Sequence, residues 1–336
     1  MRFLQFLARR AFYLVLQLLG VVTITFFLIR LIPGNPAQAL AGVSARKETV
    51  AAIERQLGLD KPLPVQYVIY LQNLMRGELG DSIFTGQTVR QDLEQRFPAT
   101  LELVTLSMLT SVGLGIPLGI YVALNRKGIL NRLVFFYGML TGALPDFWLG
   151  LILVFVFFFL LHWAPPPMGR LGPLTAPPAH ISGAYLLDGM LARDWQLALL
   201  SLQHLALPVL TLVFIYMGNI VKMARSSMEE VMQSDFVEYA RASGLPGHIV
   251  MRYALRNAMA PVATVIAFNY GFLLGGAVLV ETVFSWGGLG QYAVQSIINS
   301  DYAPITGFVI VAALFMSTMY LLLDMVYAVL DPRIQY

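Results

Sequence analysis

The chain has 336 residues, 57% of them hydrophobic and 12% charged, with a formal net charge of +3. A soluble domain carries about 25% charged residues, so half that share spread over long apolar runs points to an integral membrane protein. Cysteine is absent, which excludes disulfide frameworks, thiolate metal sites and thiol catalysis. The dispersed basic residues, without a recognition motif, give no support to nucleic-acid binding.

A bilayer-crossing helix needs roughly 20 mostly apolar residues. Six segments qualify, at about 11–31, 99–124, 134–162, 206–223, 259–281 and 305–328. The first follows Arg9 and Arg10, and Ala37-Gln38-Ala39 beyond it resembles a signal-peptidase site. Its apolar run exceeds the roughly 7–15 residues of a signal peptide, so it is expected to remain as the first span.

Residues 32–98 are too long and too patterned for a slack loop. Ser44 is placed to cap a helix with Val50, Ile53 and Leu57 on one face, ending at Gly58. A second helix after Pro64 aligns Val68, Leu71 and Met75. A third aligns Val89, Leu93 and Phe97 and runs into the second span at Pro98. The segment reads as a folded cap on the membrane surface, as a docking surface for an external partner, or as both.

Within the spans, Gly115/Gly119 and Gly271/Gly275 both fit the GxxxG spacing that allows close helix approach. Internal packing is the expected use, ahead of a subunit interface or pore hinge. Pro117 should bend the second span. Pro145 and Asp146 near the middle of the third predict a kink or a split into two short helices. The proline-rich stretch 163–180 reads as an extended outer loop. Asn269 lies mid-span, Glu281 at the outer end of the fifth span and Asp324 near the inner end of the sixth, the last two as interfacial groups. Structural roles are expected for all three; the alternative is the relay of an ion-coupled secondary transporter, for which no inverted repeat with paired broken helices is found.

Orientation follows the positive-inside rule. With the N-terminus inside, the inner segments hold twelve of the 22 basic residues, Arg333 at the C-terminal end among them. The two shorter outer loops hold only Arg170 and Arg193. Both termini are therefore expected in the cytoplasm. No lysine precedes serine or threonine, so a P-loop is missing, as are HExxH and GxSxG motifs. The scattered histidines 162, 180, 204 and 248 read as surface or interfacial groups. Neither an enzyme nor a cofactor or metal site is read from the chain.

Residues 234–261, SDFVEYARASGLPGHIVMRYALRNAMAP, form a polar, basic island on the inner side. Asp235 followed by Glu238 is a capping-box-like start for a short helix that clusters Phe236, Tyr239 and Ala240 on one face. Gly244 is a natural helix stop, and Pro246 cannot continue the helix. A second helix, 248–257, should place Val250, Tyr253, Ala254 and Asn257 on one side, with Pro261 opening the fifth span. A connector lying on anionic headgroups is one reading. A knob that docks in a protein groove better accounts for the glycine turn and the exposed small residues.

That island resembles the EAA loop of ABC-importer permeases, in the form found in the dipeptide/oligopeptide permease family. Supporting stretches in order along the chain are LIRLIPGNPA (28–37), LGLDKPLPVQY (57–67), GELGDSI (77–83), FPATLEL (97–103), GIPLG (115–119), ARSSMEEV (224–231), ARASGL (240–245), ALRNAMAP (254–261), ETVFSWGGLG (281–290) and DPRI (331–334). The resemblance implies an all-α, six-span type I ABC importer permease in the bacterial inner membrane. Its divisions would be a cytoplasmic N-terminus and first span (1–31), a periplasmic helical loop (32–98) and a core permease domain (99–336) with a cytoplasmic coupling loop (224–258).

As the first permease of a pair, it would form a heterodimer with a second, homologous permease. Two ABC ATPase subunits, a periplasmic or lipid-anchored solute-binding protein, a peptide substrate and membrane lipid complete the implied partners. Asp235, Phe236, Tyr239, Ala240, Ala242, Gly244 and Leu245 would form the helix seated in an ATPase. Glu281, Thr282, Phe284, Ser285 and Trp286 would lie at the outer gate, on the receptor side. The family's usual proline before Gly288 is Gly287 here, which is expected to loosen that turn. The family pattern is also changed at Tyr253, often histidine, and at Ser243, usually lysine. The substrate stays open among dipeptide, D-amino-acid dipeptide, oligopeptide, glutathione and nickel chelate; ASGLPG and ISGAYLLDGML (181–191) lean toward the D-amino-acid dipeptide branch.

Overall fold

The computed structural model describes residues 2–31, 36–41, 45–56, 58–172, 175–178 and 181–330, and among them it is helical, with a single isolated β-bridge between Asp81 and Thr88. Ser44, Leu57, His180 and the whole DPRI stretch, Arg333 included, belong to the sequence readings but lie outside the described residues.

Helix α1 spans Arg2–Leu31, and the short helices α2 (Pro36–Ala41), α3 (Lys47–Gln56) and α4 (Leu63–Met75) follow. Pro64 sits in the first turn of α4, where its missing N–H would be unsatisfied in any case. Helix α5 (Val89–Leu124) absorbs both the predicted third helix of the 32–98 segment and the second span, with Pro98 and Pro117 inside it. The division expected at residue 98 is therefore not a break in the chain path. Thr88 caps α5 by accepting the Gln91 N–H.

The third expected span is split at Leu144-Pro145. Helix α6 (Ile129–Ala143) and helix α7 (Asp146–Leu153), which continues as a π-helical stretch over Val154–Leu160, meet at 109°. Such a pair is a broken span or a re-entrant hairpin. Beyond α8 (Tyr185–Leu191) come α9 (Trp195–Met232), α10 (Asp235–Ala242) and α11 (Gly247–Gly276). The chain closes with α12 (Val278–Val283), α13 (Leu289–Ile298) and α14 (Tyr302–Leu330).

Helices α5, α9, α11 and α14 are each long and apolar enough to cross a membrane. Six spans are reached by counting the bent pair as one and α1, with its shorter apolar stretch Phe12–Leu28, as another. At 1.5 Å per residue the 38 residues of α9 extend about 57 Å, well beyond a hydrocarbon core of about 30 Å. Its ends therefore project past the apolar layer.

Helix α5 packs most extensively on α9, and Gly115 and Gly119 permit it. A Cβ on Gly119 would stand 2.7 Å from the Val221 carbonyl oxygen and 2.8 Å from the Ala224 Cβ. One on Gly115 would stand 3.1 Å from Met217 and 3.2 Å from Ile220. This GxxxG is spent on internal packing. In the second motif a Cβ on Gly271 would stand 3.2 Å from Met316 Cγ, while one on Gly275 would meet open space. Around the α5–α9 seam lies the main core, including Leu103, Val104, Met108, Leu212, Ile220 and Leu273.

The polar groups at membrane depth are placed individually. Asp324 pairs with Arg10 at 2.7 Å and ties α14 to α1. Asn269 is buried, with no partner for its Nδ2 among the described residues. Glu281 is fully buried in α12 rather than interfacial, because the fifth span ends at Gly276 and the chain turns inward. His204 is likewise buried, its Nδ1 3.0 Å from the Leu200 carbonyl oxygen.

Candidate functional site: two ends of one helix

Helix α11 is 30 residues long, about 45 Å, with α10 at its start and α12 at its end. The two regions singled out in the sequence therefore lie at opposite ends of the bundle.

At the first end, the island is built from helix ends rather than a loop. Helix α9 runs to Met232, and α11 begins at Gly247 and passes straight through Pro261. The separate second helix, 248–257, is absorbed into α11. Of its expected face only Val250 and Ala254 are buried, joined by Ala258, while Tyr253 and Asn257 are exposed. Between the long helices sits α10. Ser234, not Asp235, is its N-cap residue, and the Ser234 hydroxyl donates back to the Val231 carbonyl instead of capping. The expected capping box is not formed.

The stop at the other end of α10 is as the sequence predicts. Gly244 has φ +74, its N–H donates to Arg241 O at 3.0 Å, and the Leu245 N–H donates to Ala240 O at 3.2 Å. These two bonds make a Schellman motif, and Pro246 then stands at the N-cap of α11. Val237 is completely buried among Met228, Val250, Ala254 and Ala258, contributing about 1.5–3 kcal/mol of apolar burial. With Val237 turned in, Asp235, Phe236, Tyr239, Ala242, Gly244 and Leu245 are exposed and Ala240 is half-buried. Tyr239 is 76% exposed, and Phe236 and Leu245 are 42% exposed each. Val237 was missed in the sequence; its signal was an apolar residue between two aromatic positions on a short helix.

At the second end, the five expected gate residues divide. Glu281, Phe284 and Trp286 are buried, and Thr282 and Ser285 are exposed. Just past α12, Ser285 takes φ +51, with the Ser285 N–H on Thr282 O and the Trp286 N–H on Glu281 O. That turn drives Trp286 inward, where its Nε1 donates to the Ala99 carbonyl at 2.9 Å. The Thr100 hydroxyl donates to Glu281 Oε1 at 2.5 Å and accepts the Leu289 N–H at 2.8 Å. Glu281 Oε2 also accepts the Gln291 N–H at 3.0 Å. A carboxylate thus caps the N-terminus of α13, where partial positive charge collects, and locks it to α5. Burial pushes the Glu281 carboxyl up, against the downward pull of Thr100, Gln291 and Gly290.

Gly288 and Gly290 surround this carboxylate so closely that a Cβ on Gly288 would stand 2.5 Å from Glu281 Oε1. Gly287 has φ +76 and donates its N–H to Gln291 Oε1 at 2.7 Å. Proline can supply neither that φ nor that donor. The turn is not loosened by Gly287; it is closed by a different bond.

Sequence reasoning did not find Thr100 or the polar network beside it, although both halves of the latch stood in the quoted stretches FPATLEL and ETVFSWGGLG. Arg170 pairs with Glu102 at 2.8 Å, and Glu102 also accepts the Leu186 N–H at 2.8 Å. Asp188 gathers the Ser182 N–H and hydroxyl and the Gly183 N–H at 2.6–2.9 Å. Among the described residues there is no group of three metal-ligating side chains.

Two family models match. The model for the binding-protein-dependent transport system inner membrane component covers residues 115–336, and the model for the N-terminal part of such membrane components covers residues 3–104. The chain is 44% identical over 335 residues to the probable D,D-dipeptide transport system permease protein DdpB of Escherichia coli K12, covering 99% of this chain and 98% of that one. It is 38% identical over 335 residues to the di/tripeptide transport system permease protein DppB of Pseudomonas aeruginosa, covering 99% of each. It is 33% identical over 334 residues to the glutathione transport system permease protein GsiC of Salmonella paratyphi A, again with 99% of each covered.

Proposed function

Since the chain belongs to the family of inner-membrane components of binding-protein-dependent transport systems, we propose that it is the first of two permeases in an ATP-driven importer of small peptides. Membership makes it a multi-pass membrane permease that works with a solute-binding protein, a partner permease and an ATPase, and it removes the ion-coupled carrier reading.

The finer assignment rests on α10. A short helix is held from behind by buried Val237 and stopped by a left-handed glycine, and it presents Phe236, Tyr239 and Leu245 outward. The sequence holds no P-loop, so energy has to enter through contact, and this patch is suited to a groove on an ATPase subunit. Two such subunits serve the heterodimer. ATP-driven closure tilts α10, and with it the N-terminal end of α11, as one body. That movement exchanges inward for outward access. ATP hydrolysis belongs to the partner subunits. The positive-inside pattern supports placing α10 and both termini in the cytoplasm and the α12–α13 turn on the receptor side. The 44% identity to a D,D-dipeptide permease supports D-amino-acid dipeptides as the first substrates to try.

The test is uptake into proteoliposomes holding the co-expressed permeases and ATPases, with the receptor supplied outside. Dipeptide accumulation should require ATP and survive an uncoupler. Uptake driven by an ion gradient without ATP would overturn the reading.

A further inference from the structure

A cavity of about 480 Å³ opens at the end of the bundle that carries α12 and α13. Arg96 of α5, the 168–172 segment, Tyr185 and the Trp286-Gly287 turn line it. That volume falls within the roughly 300–1,000 Å³ typical of small-molecule sites. The walls are built. Trp286 is fixed by its bond to Ala99 O, and the 168–172 segment is tied to α12 by the Gly169 N–H on Phe284 O at 3.1 Å.

The charged side chains that line the cavity have one sign. The lining contains Arg96 and Arg170 and, among the described residues, no carboxylate. Arg170 is recessed, with its side chain 9% exposed. It pairs through Nη2 with Glu102 behind it and lies 3.5 Å over the Tyr185 ring. Its Nε has no hydrogen-bond partner among the described residues. Arg96 forms no ion pair among the described residues and lies 4.8 Å over the Tyr292 ring. Glu102 is set against Arg170 and the buried Glu281 carboxyl feels Arg96 only at a distance, so Arg96 offers the cavity its donors without a direct carboxylate partner among the described residues. Guanidinium groups offer donors in the geometry a carboxylate accepts.

We propose that this cavity is a carboxylate subsite of the permease, which takes the C-terminal carboxylate of a short peptide beside Arg96, with Tyr185 and Trp286 flanking the peptide's stem. The inference rests on the peptide-importer reading and adds a direct contact between permease and substrate.

The experiment uses the assembled permease–ATPase complex in nanodiscs, without receptor. Dialanine in its L,L and D,D forms, and the C-terminal amide of each, are titrated by calorimetry. At least one acid form should bind, and its amide should bind about tenfold more weakly, the loss of one charge-assisted contact. Arg96→Gln should erase the difference between acid and amide. Arg170→Lys, which retains the charge without the fork, should weaken the acid severalfold and serves if the Arg96 variant fails to assemble. Equal binding of acid and amide, or no binding of either acid form, would overturn the subsite, as would a preference that persists in both variants. In a second titration with receptor added, slower receptor association by the Arg96 or Arg170 variant with unchanged dialanine binding would also overturn it, since the cavity would then receive a receptor side chain. ATP-driven uptake by the wild-type complex is measured alongside in proteoliposomes with the receptor supplied outside. Its loss would count against the importer reading, whereas intact uptake without a carboxylate preference would count against the subsite alone.

Discussion

Thr100 and Glu281, 181 residues apart in sequence, meet through a hydrogen bond of 2.5 Å that no water reaches. Because the same hydroxyl accepts the Leu289 N–H, one side chain joins α5, α12 and α13. Removing it leaves a buried carboxylate short of a donor and a helix N-terminus short of an acceptor, a loss of about 1–3 kcal/mol. Thr100→Val should therefore lower the melting temperature of the purified permease complex. Thr100→Ser, which restores the hydroxyl, should recover most of it. Equal stability of Val and wild type would show that the bond carries nothing.

Gly287 invites a substitution that a comparison of sequences alone would call harmless. Gly287→Pro restores the residue usual in the family, yet the native φ of +76 and the N–H donated to Gln291 are both closed to proline. Thermal stability should fall by about 1–3 kcal/mol, and Gly287→Ala should cost less, since nothing stands within 4 Å of its Cβ. A stabilised proline variant would mean that the turn adopts a second geometry.

Asp188 makes a pH prediction. Burial alone raises its carboxyl, but the Ser182 hydroxyl and the N–H groups of Ser182, Gly183 and Ile181 outweigh burial and hold it below the ordinary 3.8. A depressed value means that the folded chain binds the proton less readily than the unfolded one. The contribution is therefore present above the unfolded value and lost as pH falls through the folded one. Asp188→Asn should destabilise the complex by about 1–3 kcal/mol at neutral pH. The gap from wild type should close as pH drops below 3.8, as read by circular-dichroism melts. A gap independent of pH would exclude the charge as its cause.

Much of this was legible from the residues. Span positions followed from apolar length, the split at Leu144-Pro145 from proline, and the Gly244 stop from glycine ahead of Leu-Pro. Three features were not. Helices α5 and α11 run through Pro98 and Pro261, because long helices packed on neighbours tolerate a proline that local propensity reads as a boundary. Asp235 and Glu238 matched a capping box, but the Ser234 hydroxyl turned back to α9 instead. The Thr100–Glu281 latch joins positions that no local pattern connects, so it appears only once α5 and α12 are side by side.

Gly244→Val tests transmission rather than attachment. Its Cβ would meet nothing within 4 Å, so the cost is backbone strain at φ +74, about 1–2 kcal/mol, confined to the stop of α10. Transport and transport-linked ATPase activity should fall several-fold while the folded complex persists in size-exclusion chromatography. Full uptake by this variant would show that the geometry of the stop is immaterial to coupling.

The central claim is that the exposed face of α10 is seated in an ATPase, and the absence of cysteine from the chain makes it directly measurable. A single cysteine replacing Tyr239, which is 76% exposed, is labelled with a photoactivatable benzophenone in the assembled complex. The adduct is then identified by mass spectrometry. A covalent product with an ATPase subunit, diminished by Val237→Asp in the helix behind it, is the predicted result. Adducts with lipid alone, from a complex that still hydrolyses ATP and transports, would contradict the account.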